Sequence, residues 1–449
     1  MTEFSTDILV DRASALVEAA TRAGATAADA IAVQSVSKSI EIRNAAVDET
    51  EQAERADLGL RVFVDDKSAI VSSNDMATSG YAALAERAVA MAKLAPGNPH
   101  LGLAASNEYA TEMPELDLLD DDLYATDDLI RMAKEAEAAA LSVEGVTKSG
   151  SANAGSRLAG YVLVTSNGFS GVSQRTGHSV SATAIAGDGT AMERDYGFHM
   201  SVFRSDLETP EEIGIRAGER AIARQNPRKI ETRKAPVVFD KRVAASLVSN
   251  LAGAINGSAI ARGSSFLKTR LGDAIFPNTV TITDDPLVRR GLASRAFDGE
   301  GLPSHALSVI DKGKLTTWIL DTQTARQLGL TSNGRASRGI GGNPSPSTTN
   351  LNMANGTRSQ ADILRECWTG LLVTSMFGRG VDLVTGDYSR GVSGFWFENG
   401  EITYPVSEIT IAGNLTEMFA TLEPADDLEI RGATNAPSLF VGEMTIAGS

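Results

Sequence analysis

Four histidines, one cysteine and a few acidic or glycine-rich turns are the residues of this chain that could do chemistry. His100, His178, His199 and His305 lie far apart. A zinc site ordinarily starts from two ligands on one helix face or one strand pair, so no HxxxH or HExxH centre is built from them. His178 and His199 fall in β-like runs, where packing is the expected role, and His100 sits in a Pro/Gly loop. Cys367, beside Trp368 in an apparently helical run over 362–372, reads as a small apolar filler rather than a nucleophile. Gly339-Ile340-Gly341-Gly342 and Gly378-Arg379-Gly380 lack the Lys and Ser or Thr of a phosphate loop and read as turns or close approaches. Asp284-Asp285-Pro286 follows a strand at 279–283 and reads as a turn rather than a metal-binding pair. These residues predict a protein with no metal or thiol centre of its own.

One run is denser. Gly386-Asp387-Tyr388-Ser389-Arg390-Gly391 places an acceptor, an aromatic face, a hydroxyl and a forked donor within four residues, between two glycines. Asp387, Tyr388, Ser389 and Arg390 are the candidates for a ligand-facing loop. The competing reading is a tight turn locked by an Asp387–Arg390 pair.

Composition limits the partners. The 57 acidic against 41 basic residues give a net charge of −16. A duplex binder replaces phosphate counterions with Lys and Arg, so nucleic acid is not the expected partner. No apolar run approaches the roughly 20 residues of a bilayer span. The first eleven residues hold Glu3, Asp7 and Asp11 and no base, unlike a secretory signal. A single cysteine forbids an internal disulfide and fits a reducing compartment, so the cytoplasm is expected.

The elements that must position these residues are legible from periodicity. Helices are predicted over 6–23, 79–94, 126–143 and 210–224, the last opened by Pro210. Short strands are predicted at 30–36, 39–43, 58–64, 68–72 and through 158–203, and 96–122, acidic and broken by Pro96 and Pro114, reads as a surface connection. The stretch 226–234, polar and carrying Pro227, marks a boundary between an N-terminal α+β domain (1–226) and a mainly antiparallel β domain (235–449). The second half opens with a strand at 235–239 and a helix over 240–261 on which Val243, Leu247, Leu251, Ile255 and Ala259 form one ridge. Asp311-Lys312-Gly313-Lys314 and Glu398-Asn399-Gly400-Glu401 are hairpin turns.

The run from Thr385 to Gly391 continues into Gly394-Phe395-Trp396, Glu398-Asn399-Gly400-Glu401-Ile402 and Tyr404-Pro405-Val406-Ser407-Glu408-Ile409-Thr410-Ile411-Ala412-Gly413-Asn414-Leu415. With Arg262-Gly263-Ser264-Ser265-Phe266-Leu267, Gly291-Leu292-Ala293-Ser294, Phe297-Asp298-Gly299-Glu300-Gly301, and Ala325 with Leu328-Gly329-Leu330, it resembles the TldE (PmbA) branch of the TldD/TldE metallopeptidase family over most of 235–449. The resemblance implies a two-subunit peptidase in which the TldD-type subunit carries HExxxH on a helix and a cysteine near its C-terminus, together holding zinc. The corresponding window here, Val248-Ser249-Asn250-Leu251-Ala252-Gly253-Ala254, has no histidine and no acid, and no cysteine stands near Ala436. The implied role is a non-catalytic subunit with no cofactor of its own, partnered by a TldD-type zinc subunit and handling unfolded or leader peptides. The family is also described as a modulator of DNA gyrase, a connection that −16 makes indirect. The alternatives are a homodimeric peptide-binding or regulatory protein without peptidase activity, self-associating in the partner's absence, and an autonomous Ser- or Asp-based hydrolase, for which no G-x-S-x-G elbow is present.

Overall fold

The computed structural model describes residues 5–378 and 380–448. The first four residues of the segment compared with a secretory signal, and Arg379 of the second glycine-rich loop, lie outside the described residues.

The first helix, α1 (Thr6–Arg22), is capped by Ser5 and buries Leu9, Ala13, Leu16, Val17 and Ala20. The strands that follow are longer than periodicity suggests. Residues 30–36 and 39–43 are parts of one strand, β1 (Ala27–Arg43), and 58–64 is the inner end of β2 (Ala46–Val64). In this hairpin the outer part of β2, residues 46–55, is almost wholly solvent-exposed on both faces and carries no alternation for a hydrophobic pattern to report, whereas Ile40 and Ile42 in β1 beside it are buried. The hairpin's turn places Asn44 at φ 55° and Ala45 at φ 61°. Neither needs glycine because the buried carboxylate of Glu137 accepts both backbone N–H groups, at 2.9 and 2.7 Å.

Strands β3 (Lys67–Ser73), β4 (Val146–Thr165), β5 (Ser170–Ala186) and β6 (Glu193–Ser201) complete a six-stranded antiparallel sheet in the order β3-β2-β1-β4-β5-β6. Four helices lie on one face. Helices α1 and α2 (Tyr81–Leu94) cover one end through Ala30, Leu60 and Val162. Helices α3 (Thr126–Ser142) and α4 (Pro210–Ala223) cover the other through Ile40, Ala154 and Val180. The 96–122 segment is irregular, as expected, but not merely superficial. Ala104, Tyr109 and Ala110 are buried with Phe169, Phe297 and Leu302 in a cluster joining the two halves of the chain.

The second half is mostly β. Strands β7 (Arg233–Phe239), β8 (Thr369–Phe377), β9 (Asp387–Glu398), β10 (Glu401–Asn414) and β11 (Leu439–Ala447) pair in the order β10-β9-β8-β7-β11. The further pairing of β10 with β11 closes the ring, which leaves few free edges. The β9–β10 hairpin turns at Asn399 (φ 56°) and Gly400 (φ 78°), the two positive values its type requires.

Two predicted helices are shorter than read. The helix over 240–261 is two: α5 (Lys241–Ala254) ends at Ile255, and Asn256 caps α6 (Gly257–Ala261). The ridge therefore breaks before Ala259. The helical run ending at 372 stops at Cys367 as α7 (Gln360–Cys367), because Trp368 takes φ 64° and the chain turns into β8. No glycine marks that stop. Asp284 is not a turn residue either. It lies inside the strand Ile282–Asp285, fully buried, where it pairs with the Arg335 guanidinium and accepts from the Thr349 N–H.

Candidate functional site

The face of the six-stranded sheet opposite its helices is only partly covered. Register places Asp29, Ile31, Val33, Ser35, Ser37 and Ser39 of β1 on it, with Tyr161, Arg157 and Gly155 of β4 and Ser179 and Ser181 of β5. At the Ile31 end it packs under Phe297, Leu302 and Ile340 of the second half. Beyond Val33 its small polar residues stay part-exposed. The edge strand β6 adds Tyr196, Phe198 and Met200 to this face, exposed by 55, 40 and 39%. Exposed large apolar side chains repeated at alternate positions make this edge strand a candidate contact surface, and an edge strand can pair with an extended chain through main-chain hydrogen bonds.

A cleft of about 870 Å³ opens where β6 meets α5, β8 and β9. Its floor is an ion cluster. Arg242 of α5 grips Asp195 at 2.6 and 3.1 Å, and Arg224 approaches the same carboxylate at 3.5 Å. Burial would raise the Asp195 carboxyl, but the guanidinium of Arg242 and then that of Arg224 hold it below the usual range. Arg242 also stacks against the Tyr196 ring. The cluster ties the edge strand of one half to the helix of the other.

The helix compared with a zinc-binding one borders this cleft through Arg242, Val243 and Ser246. In its critical window Val248, Leu251 and Ala254 are buried, while Ser249 is exposed and its hydroxyl bonds back to the Ala245 carbonyl. Asn250 supplies an amide and Gly253 no side chain. These donors do not fit zinc, and no cluster of three His, Cys, Asp or Glu side chains able to hold a metal occurs among the described residues. His178 is buried between the Ser156 hydroxyl (3.1 Å) and Asp120 (3.5 Å), its imidazolium disfavoured by burial. His199 accepts the Glu208 N–H at 3.0 Å. The Cys367 thiol is pushed up to about 11 by burial and neighbouring Glu366 and Glu423, so it stays protonated.

The four tetrad residues lie in β9 and alternate across it. Tyr388 is 1% exposed, in the core against Phe239 and the Met376 sulfur. Asp387 faces out, accepting from the Thr385 hydroxyl and the Asn414 amide. Ser389 is also exposed. Arg390 donates to the Gly378 carbonyl at 2.9 Å and, alone of the four, lines the cleft. Asp387 and Arg390 thus have separate partners, and the locked turn is not formed. Substitution should separate the roles. Tyr388→Ala is expected to cost about 3–5 kcal/mol, as for other large buried aromatics, read as a lower denaturation midpoint. Arg390→Ala should cost under about 1 kcal/mol, and a loss as large as that of Tyr388→Ala would make Arg390 part of the scaffold.

A second group of buried charges sits in the seam between the halves. Asp29 accepts from Arg61 at 3.1 Å and faces Arg338 at 2.6 Å. Close by, Glu300 accepts the Thr322 N–H at 2.8 Å, and burial together with the Asp298 charge raises its carboxyl to about 7. A carboxyl raised on folding contributes stability that is fully present below its unfolded value of about 4.5 and is lost as pH rises towards 7. Glu300→Gln, which can keep the Thr322 bond, is expected to flatten that slope and stabilise the protein at pH 8 on the order of 2 kcal/mol. Thermal melts at pH 5 and 8 check this; an equal shift at both would show that Glu300 does not titrate in the window.

Sequence reasoning singled out Arg390, which lines this cleft, by its dense local motif. It missed Asp195, Arg224 and Arg242, which stand in three elements and carry no shared spacing. Comparison with known proteins adds independent information. Family models described as PmbA/TldA metallopeptidase domain 1, central domain and C-terminal domain match residues 28–92, 120–225 and 232–448. The metalloprotease PmbA of Escherichia coli O157:H7 is 38% identical over 412 residues, 91% of this chain and 90% of its own. The Haemophilus influenzae homologue of PmbA is 36% identical over 436 residues, 96% of this chain and 94% of its own. Among solved structures, a candidate modulator of DNA gyrase from Bacteroides thetaiotaomicron superposes with a TM-score of 0.89 at 28% identity, over 98% of each chain. TldE from Thermococcus kodakarensis shares the fold, with a TM-score of 0.85 at 19% identity over 97% of this chain and 100% of its own.

Proposed function

The chain belongs to the PmbA/TldA metallopeptidase family, and on that premise we propose that it is the non-catalytic subunit of a cytoplasmic heteromeric zinc peptidase acting on unfolded or leader peptides. The observation that carries this reading is the helix α5. It stands beside the cleft of about 870 Å³ and offers Val, Ser, Asn, Leu, Ala and Gly where the TldD branch places HExxxH. Hydrolysis of a peptide bond by zinc needs ligands to hold the ion and a base to take the water's proton, and that surface provides neither. The uncovered sheet face and the free edge of β6 support the rest. They offer an extended peptide a wall of small polar side chains, flanked by Tyr196, Phe198 and Met200. The segment 386–413 contributes Arg390 to the same cleft. In this role the chain supplies part of the chamber and the partner supplies zinc and the cleaving water.

The test is recovery of the partner. Affinity purification of this chain from its own cells is expected to bring down a zinc-bearing TldD-type protein in equimolar amount. Purification as a homodimer, with no such protein even when one is co-expressed, would favour the regulatory peptide-binding alternative and remove the heteromeric one.

A further inference from the structure

The uncovered sheet face leads at one end into a pocket of about 430 Å³ walled by Arg157, Arg175, Arg295 and Arg338 and by no carboxylate. In a chain of net charge −16 this is a local reversal of sign. Arg338 is the deepest, with a side chain 1% exposed. Its Nη1 forms an ion pair with Asp29 at 2.6 Å, while its buried Nε and Nη2 have no hydrogen-bond partner among the described residues. That single carboxylate already receives Arg61 through two nitrogens. Arg295 donates Nη1 to the Ala336 carbonyl at 2.9 Å and Nη2 to the Ser347 carbonyl at 3.5 Å, and leaves a buried Nε unpartnered. Arg175 is held by the carbonyls of Leu292, Gly291 and Ser294, so no acid balances its charge. Arg157 stands exposed at the mouth with no ion pair among the described residues. Asp298, whose charge faces Arg295, already accepts from the backbone N–H groups of Glu300, Leu302 and Ala336.

Buried guanidinium donors without acceptors are costly, and a planar carboxylate is the ligand whose geometry satisfies them two at a time. We propose that this pocket receives the carboxylates of an acidic peptide lying along the uncovered sheet face, either its C-terminal carboxylate or an Asp or Glu side chain. The inference rests on the reading that this chain holds an extended peptide, and it names that peptide's chemical class. The source is argued from continuity. Arg157 lies on β4 beside Ser37 of β1 and two residues from Gly155, so the pocket mouth opens onto the strip of small side chains rather than onto bulk solvent alone. Burial, with Arg61 beside it, also holds the Arg338 guanidinium down to about 10, and a bound carboxylate would relieve that strain.

The experiment titrates the full chain, alone and with its zinc partner, with two labelled hexapeptides of one backbone. One carries three Glu and a free C-terminus; the other carries Gln and a C-terminal amide. The acidic peptide is expected to bind at least about tenfold tighter at low salt. Arg157→Ala should reduce that preference to within about threefold with an unchanged melting temperature, and Arg157→Glu should abolish it. Equal binding of both peptides by the native chain, or a preference that survives both substitutions, overturns the carboxylate pocket and leaves the peptide-holding reading intact. Binding of neither peptide, with or without the partner, overturns that reading and the pocket with it.

Discussion

Purified alone, the chain is expected to leave an unfolded peptide intact and to hold no stoichiometric zinc, whereas mixing with a zinc-bearing TldD-type protein should raise cleavage at least about a thousandfold. The size follows from what is missing. Zinc lowers the pKa of its bound water from 15.7 to about 7, and a positioned base typically adds another 10²–10⁴ in rate. The window from Val248 to Ala254 offers neither an imidazole nor a carboxylate, and Ala436, where the third ligand would fall, is buried and apolar. The four histidines stand apart, His178 and His199 each in a local contact of its own. Two measurements decide. Elemental analysis of dialysed protein should find well under one zinc per chain, and cleavage should track the partner. About one zinc per chain, lost on substituting any of the histidines, would refute the first. Cleavage by this chain alone at the rate of the mixture would refute the second.

A stability effect as large as that of Tyr388→Ala is expected at Asp29. Asp29→Ala should cost about 3–5 kcal/mol, because it leaves Arg61 and Arg338 buried without their counter-charge. Both arginines are almost wholly excluded from solvent. Removing charges together should cost less than the sum. The double variant Asp29→Leu with Arg338→Met is therefore expected to recover part of the loss, and a double-mutant cycle measures the coupling. The acid limb carries the same signature. Burial alone would raise the Asp29 carboxyl, but the guanidinium groups of Arg338 and Arg61 hold it below the usual range. A carboxyl lowered on folding contributes stability present above its unfolded value of about 3.9 and lost as pH falls through its folded one. The native protein should therefore resist acid to below pH 4, and Asp29→Asn should lose part of that resistance. If Asp29→Ala unfolds at the native midpoint in denaturant, the seam is not the electrostatic joint described.

The two halves of the chain also differ in how they report themselves. The helices α1 to α4 and the β9–β10 hairpin were legible because a helical stripe and an Asn-Gly turn are local signals, written within a few residues. The outer part of β2, residues 46–55, was not, since both its faces meet solvent and nothing alternates. The stop at Trp368 was hidden for a related reason: a non-glycine residue at positive φ is imposed by the packing around it.

What the sequence determined by itself was chemical inventory. It established an acidic chain, a helix without zinc ligands, scattered histidines and a motif-dense strand, because residue identity and short spacing suffice to exclude a local metal pair. What only the tertiary structure decided was which charges meet. Asp195 lies 47 positions from Arg242, Asp284 lies 51 from Arg335, and Asp29 reaches Arg338 from the opposite half of the chain. Even within the tetrad, pairing in β9 sends Tyr388 into the core and leaves Arg390 at the cleft. Burial and partner choice depend on how sheets pack and which strand edge stays free, and no spacing along the chain encodes that.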